Sequence, residues 1–131
     1  MHIDRRELAA IFAGGAIGAA ARVWIGRHLT GGSGEWPWAT FTINVTGSFA
    51  LAYFATRLQE RLPLSTYRRP MLATGFCGAY TTFSTLQVEL LKLIEAHHYE
   101  LAAGYAACSI TAGYGAIWVA TALARRTRTL A

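Results

Sequence analysis

Gly75-Phe76-Cys77-Gly78-Ala79-Tyr80-Thr81-Thr82-Phe83-Ser84-Thr85 lies at the centre of residues 70–88, a stretch without a single charge. Glycine and β-branched threonine in succession are poor helix formers. The stretch therefore reads as a helix that breaks near residues 78–82. A broken helix at membrane depth survives only where protein or an aqueous cavity covers the freed backbone. Freed carbonyls suit a small cation, whereas half-helix N-termini and hydroxyls suit an anion. The simpler alternative is a continuous helix with a glycine packing face.

Outward from this centre, the same absence of charge recurs. Residues 36–56 and 101–124 carry none, and residues 8–25 carry only Arg22. A spanning helix needs about 20 mostly apolar residues to cross about 30 Å of hydrocarbon. The expected fold is an all-α integral membrane domain over residues 1–131, with four spans at about 8–28, 36–56, 70–96 and 101–124. Hydrophobic residues make up 53% and charged residues 15% of the 131-residue chain. Alanine, glycine and threonine hold the mean hydropathy to +0.29, so the distribution of charge is more telling than its amount. A soluble bundle would have to hide four charge-free faces, and soluble helices show a polar stripe. Arg5 and Arg6 ahead of an apolar run, with Ala19-Ala20-Ala21 after it, imitate a secretory signal. Arg22 continues the small-residue face, and three further spans follow, so the first run reads as a span. Cys77 and Cys108 both fall within spans, which fits two reduced thiols and neither a disulfide framework nor a metal cluster. No catalytic constellation stands out, and the chain is not read as an enzyme.

Four spans place both termini on one side. That side holds Arg5, Arg6, Arg57, Arg61, Arg68, Arg69, Arg125, Arg126 and Arg128, nine positive residues, against Arg27 and Lys92 on the other. The positive-inside rule then puts both termini in the cytoplasm. The net charge of +5 is explained by basic residues beside anionic lipid and calls for no nucleic acid.

Polar residues within the spans mark packing or a pathway, because an unpaired polar group in lipid is costly. Gly14, Gly18 and Arg22 share one face of the first span, and the glycines match a small-xxx-small packing pattern. Arg22 either snorkels to the interface or gives an aqueous vestibule a potential that attracts anions. Thr40, Asn44 and Ser48 align on the second span, and Asn44 offers amide donors without an ionisable charge. Tyr105, Ser109 and Gly113 align on the fourth, where two hydroxyls one turn apart would make a donor track for an anion.

Together these motifs resemble the Fluc (CrcB) family of fluoride channels over nearly the whole chain. The resemblance rests on Gly14-Gly15-Ala16-Ile17-Gly18-Ala19 with Arg22, on Asn44-Val45-Thr46-Gly47-Ser48-Phe49, and on Gly75-Phe76-Cys77-Gly78 followed by Thr81-Thr82-Phe83-Ser84-Thr85. It implies an antiparallel, dual-topology-type dimer with two pores. It implies a central structural sodium ion, held by backbone carbonyls of Gly78 and Thr81 and not transported. Asn44 matches the pore asparagine and Phe83 the first of two pore phenylalanines. Thr40, Thr82, Ser84, Tyr105 and Ser109 fall in the polar pathway, Arg22 in the vestibule, and Glu89 matches a family acid just past the motif. The chain departs from the family at Leu86, where a second phenylalanine is usual, and at Gly113, where a serine is common.

The implied function is passive, selective export of fluoride across the cell membrane, which lowers cytoplasmic fluoride and its toxicity. A multidrug or cation–proton antiporter of four spans would need a titratable group within the membrane, and only Glu89 lies near a span. A non-conducting assembly subunit would explain the glycine faces but not the polar residues of three spans. The nine-to-two charge bias favours one fixed orientation. The antiparallel partner would then be an oppositely oriented paralogue instead of a second copy.

Overall fold

The computed structural model describes residues 4–60 and 66–129, and Arg61 of the charge tally lies outside them. The described residues form helices joined by short non-helical segments, with no strand among them. Helix α1 spans Arg5–His28, and the Asp4 carboxylate caps it by accepting a bond from the Arg6 amide at 2.9 Å, which satisfies one of the free donors of the first turn. Helix α2 spans Trp38–Glu60. A wide π-helical segment, Pro70–Cys77, runs directly into the short helix α3, Gly78–Tyr80. Thr81 and Thr82 are extended, with ψ of 156° and 112°. Helix α4 then spans Phe83–Glu95, and helix α5 spans Tyr99–Thr129. Between them His97 takes a positive φ of 61°.

The interruption falls on Thr81 and Thr82, whereas Gly78 is helical at φ −63° and ψ −37°. The wide turn of the π segment has no counterpart in the sequence reading, because apolar spacing alone does not separate π from α geometry. Such turns are frequent at functional sites.

By length and composition, α1 and α5 are apolar enough to cross a membrane. The 23 residues of α2 reach about 35 Å at 1.5 Å per residue, but Thr40, Thr42, Asn44, Thr46 and Ser48 dilute its hydropathy. Helix α1 packs along the π segment, and α2 packs along α5. Contact between α1 and the π segment is backbone to backbone. A Cβ placed on Gly14 would fall on the Met71 carbonyl, one on Gly18 on the Phe76 carbonyl, and one on Gly75 on the Ile11 carbonyl. Small residues permit this approach.

The enclosed core is small. Leu93, Ala102 and Tyr105 form it, flanked by Trp36, Phe41, Leu86, Leu90 and Leu101. Phe12, Ile110, Tyr114 and Trp118 point outward and are largely exposed. An apolar exterior around a polar seam suits a lipid or protein environment better than water.

Candidate functional site

The seam begins where the helix is interrupted. In an unbroken helix the Thr82 amide would bond the Gly78 carbonyl. Here it bonds Asn44 Oδ1 at 2.9 Å, and Asn44 Nδ2 donates to the Thr82 carbonyl at 3.0 Å. The Thr85 amide, which would bond the Thr81 carbonyl, donates to Thr82 Oγ1 at 3.2 Å instead. Thr82 Oγ1 in turn donates to Thr85 Oγ1 at 2.9 Å. Both carbonyls at Gly78 and Thr81 thus lose their regular helical donors. Thr81 stays anchored behind the break, its amide and hydroxyl each donating to the Cys77 carbonyl at 3.0 Å. Gly47 lets α2 come this close, since a Cβ there would collide with Thr81 Cγ2. Thr46 and Tyr80 add a hydroxyl–hydroxyl bond of 2.8 Å across the same contact.

Two turns along α4, Glu89 gathers the other pathway residues. Thr40 Oγ1 donates to Glu89 Oε1, and Tyr105 OH donates to Glu89 Oε2, each at 2.7 Å. These are short bonds of the kind a carboxylate accepts. Tyr105 is fully buried, and Trp36 meets its ring edge-on with centroids 5.5 Å apart. Thr40 and Thr82 are the buried polar residues among those described. Thr40 and Asn44 lie one turn apart on α2, so the carboxylate cluster and the Asn44–Thr82 pair share one face.

The remaining candidates sit around this line. Ser109 Oγ on α5 is buried without a hydrogen-bond partner. Gly113 looks onto Ser48, where a Cβ would stand 3.8 Å from the hydroxyl. Phe83 is 70% exposed and Ser84 is also exposed, so both face away from the protomer core. Leu86 turns inward and packs on the Tyr105 cluster. Arg22 is half-buried on α1, one turn before Gly26. Gly14 and Gly18 lie at the π-segment contact, away from the polar seam. The structure therefore joins Thr40, Asn44, Thr82 and Tyr105, with the Ser84 hydroxyl reaching Thr82 Oγ1 at 3.4 Å, and leaves Phe83 and Arg22 apart from them.

Glu89 as the hub, Gly47 as the point of approach, and Trp36 beside Tyr105 were not singled out as pathway residues from the sequence. The signals available for Glu89 were its place at the edge of an uncharged stretch and its match to a family acid just past the motif. Among the described residues no group of three His, Cys, Asp or Glu side chains could hold a metal ion. A cation at the interruption would rest on backbone oxygen.

Comparison with known proteins fits this geometry. The profile of the CrcB-like protein family (camphor resistance, CrcB) matches residues 9–121. Over 125 residues the chain is 58% identical to the fluoride-specific ion channel FluC 1 of Mycolicibacterium paratuberculosis, covering 95% of each protein. It is 57% identical to the protein of the same name from Mycobacterium bovis, with the same coverage. The fluoride-specific ion channel FluC of Oceanobacillus iheyensis is 39% identical over 119 residues, 91% of this chain and 92% of that one. Helices with an apolar exterior and an interrupted, hydrogen-bonded polar seam define the class: a helical membrane protein. Within that class, the chain belongs to the CrcB-like family.

Proposed function

We propose that the chain is one subunit of a fluoride-specific channel that lets fluoride leave the cell passively. The observation that carries this reading is the row of hydrogen-bond donors at Thr40, Asn44 and Tyr105, fixed by Glu89 and the Thr82 backbone. The relatives named above supply the identity of the ion.

Fluoride is small and strongly hydrated, so a pore must replace the hydrogen bonds of water. The Thr40 and Tyr105 hydroxyls are donors whose present acceptor is Glu89, and a passing fluoride can substitute for that carboxylate. Asn44 Nδ2 carries two hydrogens and commits one to Thr82. Ser109 Oγ, buried and unpartnered, adds a further donor on α5. Phe83 presents the positive edge of its ring from the protomer surface, where a partner subunit would enclose it. Several weak sites in series favour passage over trapping. No bond is made or broken, so no enzymatic step is involved.

In this reading α1, α2, the run from the π segment through α4, and α5 cross the membrane as four spans, the third interrupted within it. The carbonyls of Gly78 and Thr81, released from their helical donors, and the open face at Gly78, where an added Cβ meets nothing within 4 Å, fit a structural sodium ion. Hard cations favour such oxygen ligands. Bound there, sodium would neutralise the freed carbonyl dipoles at the centre of an antiparallel dimer. Arginine placement favours cytoplasmic termini, and the partner is an oppositely oriented paralogue or a second copy of this chain.

Liposomes loaded with fluoride and carrying the protein test the proposal through an external fluoride electrode. Rapid fluoride loss with chloride retained supports it. Proton-coupled flux would instead indicate an antiporter.

A further inference from the structure

In the channel reading Tyr105 has two tasks that oppose each other. Its hydroxyl must release Glu89 to meet an ion, and its oxygen must stay where that bond can form again. The 2.7 Å bond to Glu89 fixes the hydroxyl end only while it is made. Leu93 and Ala102 enclose the ring, but apolar burial has no direction.

Trp36 supplies the direction. Its ring meets the Tyr105 ring edge-on, with centroids 5.5 Å apart and planes at 77°. Its Cζ3 lies over Gly104, the residue before Tyr105, 3.8 Å from where a Cβ would stand. Phe41 holds the indole in turn by a second edge contact, with centroids 5.5 Å apart and planes at 78°. Aromatic pairs favour such arrangements because a ring has a positive edge and a negative face. The backbone is fixed as well. The Trp38 amide donates to the Trp36 carbonyl at 2.8 Å, and the Phe41 amide to the Pro37 carbonyl at 3.0 Å. The start of α2 therefore reaches Tyr105 twice, by way of Glu89 from Thr40 and directly from the Trp36 ring.

The indole nitrogen shows which part of Trp36 is used. It has no exposed surface and no acceptor. A shielded donor without an acceptor is unfavourable, so the N–H contributes no hold. What holds Tyr105 is the ring.

We infer that Trp36 is a positioning residue for Tyr105: its ring keeps the Tyr105 oxygen in place, so that the hydroxyl exchanges Glu89 for a passing fluoride by turning its hydrogen alone. The inference rests on the channel reading for its ion and on the ring packing for its residues. A donor held in position needs no reordering each time an ion arrives.

Two measurements on the full chain test it. In the first, the Tyr105 hydroxyl proton is followed by NMR in fluoride-free bicelles and assigned by its loss in Tyr105→Phe. Held on a carboxylate, it should exchange slowly with water in the wild type. Trp36→Ala should speed that exchange about tenfold by loosening the ring locally. Trp36→Phe, which keeps an aromatic edge, should restore the slow rate. The Thr82 amide, bonded to Asn44, should keep its signal throughout and so report an intact fold. Trp36→Leu, which keeps apolar bulk without a planar ring, replaces Trp36→Ala if the latter does not assemble, with the same expectation. An undetectable wild-type signal, or exchange as slow in the variant as in the wild type, overturns the inference. In the second, fluoride efflux from liposomes is measured for Trp36→Ala with and without Tyr105→Phe. Trp36→Ala should slow efflux about fivefold alone, and by no more than about twofold where the hydroxyl is already gone. Thermal stability should fall equally in both backgrounds, since the ring contact survives in Tyr105→Phe. Equal slowing of efflux in both backgrounds would make Trp36 purely structural and overturn its positioning role, while leaving the channel reading intact. Silent wild-type vesicles whose Tyr105 hydroxyl is still loosened by Trp36→Ala would uphold the hold on Tyr105 and overturn the channel reading.

Discussion

Asn44 and Thr82, 38 residues apart in sequence, are joined by two hydrogen bonds, Nδ2 to the Thr82 carbonyl at 3.0 Å and the Thr82 amide to Oδ1 at 2.9 Å. A side-chain amide here does the work of a missing helical turn. It satisfies the backbone of one extended residue and ties α2 to the start of α4. Any change at Asn44 thus acts on the pathway and on the interruption together.

Asn44→Ala removes both bonds and leaves the Thr82 amide without its acceptor. The expected cost is about 1–3 kcal/mol of stability, with fluoride efflux slowed by tenfold or more. Asn44→Asp keeps an acceptor for the Thr82 amide but sets an oxygen against the Thr82 carbonyl, so it should also slow efflux. Phe83→Ile should slow efflux without loss of stability, because Phe83 is largely exposed in the protomer. Efflux and thermal unfolding, measured on the same preparations, distinguish the two behaviours.

Thr40→Val and Tyr105→Phe each strip one donor from Glu89. Each should reduce fluoride efflux, and the double variant should lose less than the product of the single effects, because residues sharing one partner do not act independently. Independent, multiplicative losses would indicate that Glu89 does not couple them.

Backbone contact between α1 and the π segment predicts a contrast among the glycines. Gly14→Ala and Gly18→Ala drive a methyl into a carbonyl and should destabilise by about 1–3 kcal/mol. Gly15→Ala, where the nearest atom is 3.8 Å away, and Gly78→Ala, where none lies within 4 Å, should be tolerated in the protomer. Unfolding in detergent orders the four. A dimer that fails to form only in Gly78→Ala would point to the partner surface.

The α1 cap is pH-sensitive. The bond from the Arg6 amide holds the Asp4 carboxyl below its usual range, with Tyr67 OH contributing through a 3.1 Å bond. A carboxyl lowered on folding contributes stability above its unfolded pKa and loses it as pH falls through the folded value. Thermal stability should therefore fall less on acidification in Asp4→Ala than in the wild type.

Much of this was legible in the sequence, for local reasons. Charge-free stretches marked the helices, since these follow from hydropathy and backbone propensity. The position of the break was not local. It falls on Thr81 and Thr82 because Asn44 and the Thr82 hydroxyl replace the helical hydrogen-bond partners there, and Asn44 comes from another helix. Glu89 looked like an acid at the edge of a span, and its role depends on Thr40 and Tyr105, 49 and 16 residues away. Leu86 reads as a lost aromatic when compared with a motif, yet with Leu90 and Leu93 it repeats at i, i+4 and i+7, the spacing of an inward helix face.

The channel reading requires fluoride to pass through the seam held by Asn44, Glu89 and the Thr82 backbone. The most direct measurement is fluoride efflux from liposomes containing the assembled protein, wild type beside Asn44→Ala. Fast wild-type release with chloride retained, slowed at least tenfold in the variant, is the predicted result. Silent wild-type vesicles with assembled protein, or equal release from both proteins, would contradict it.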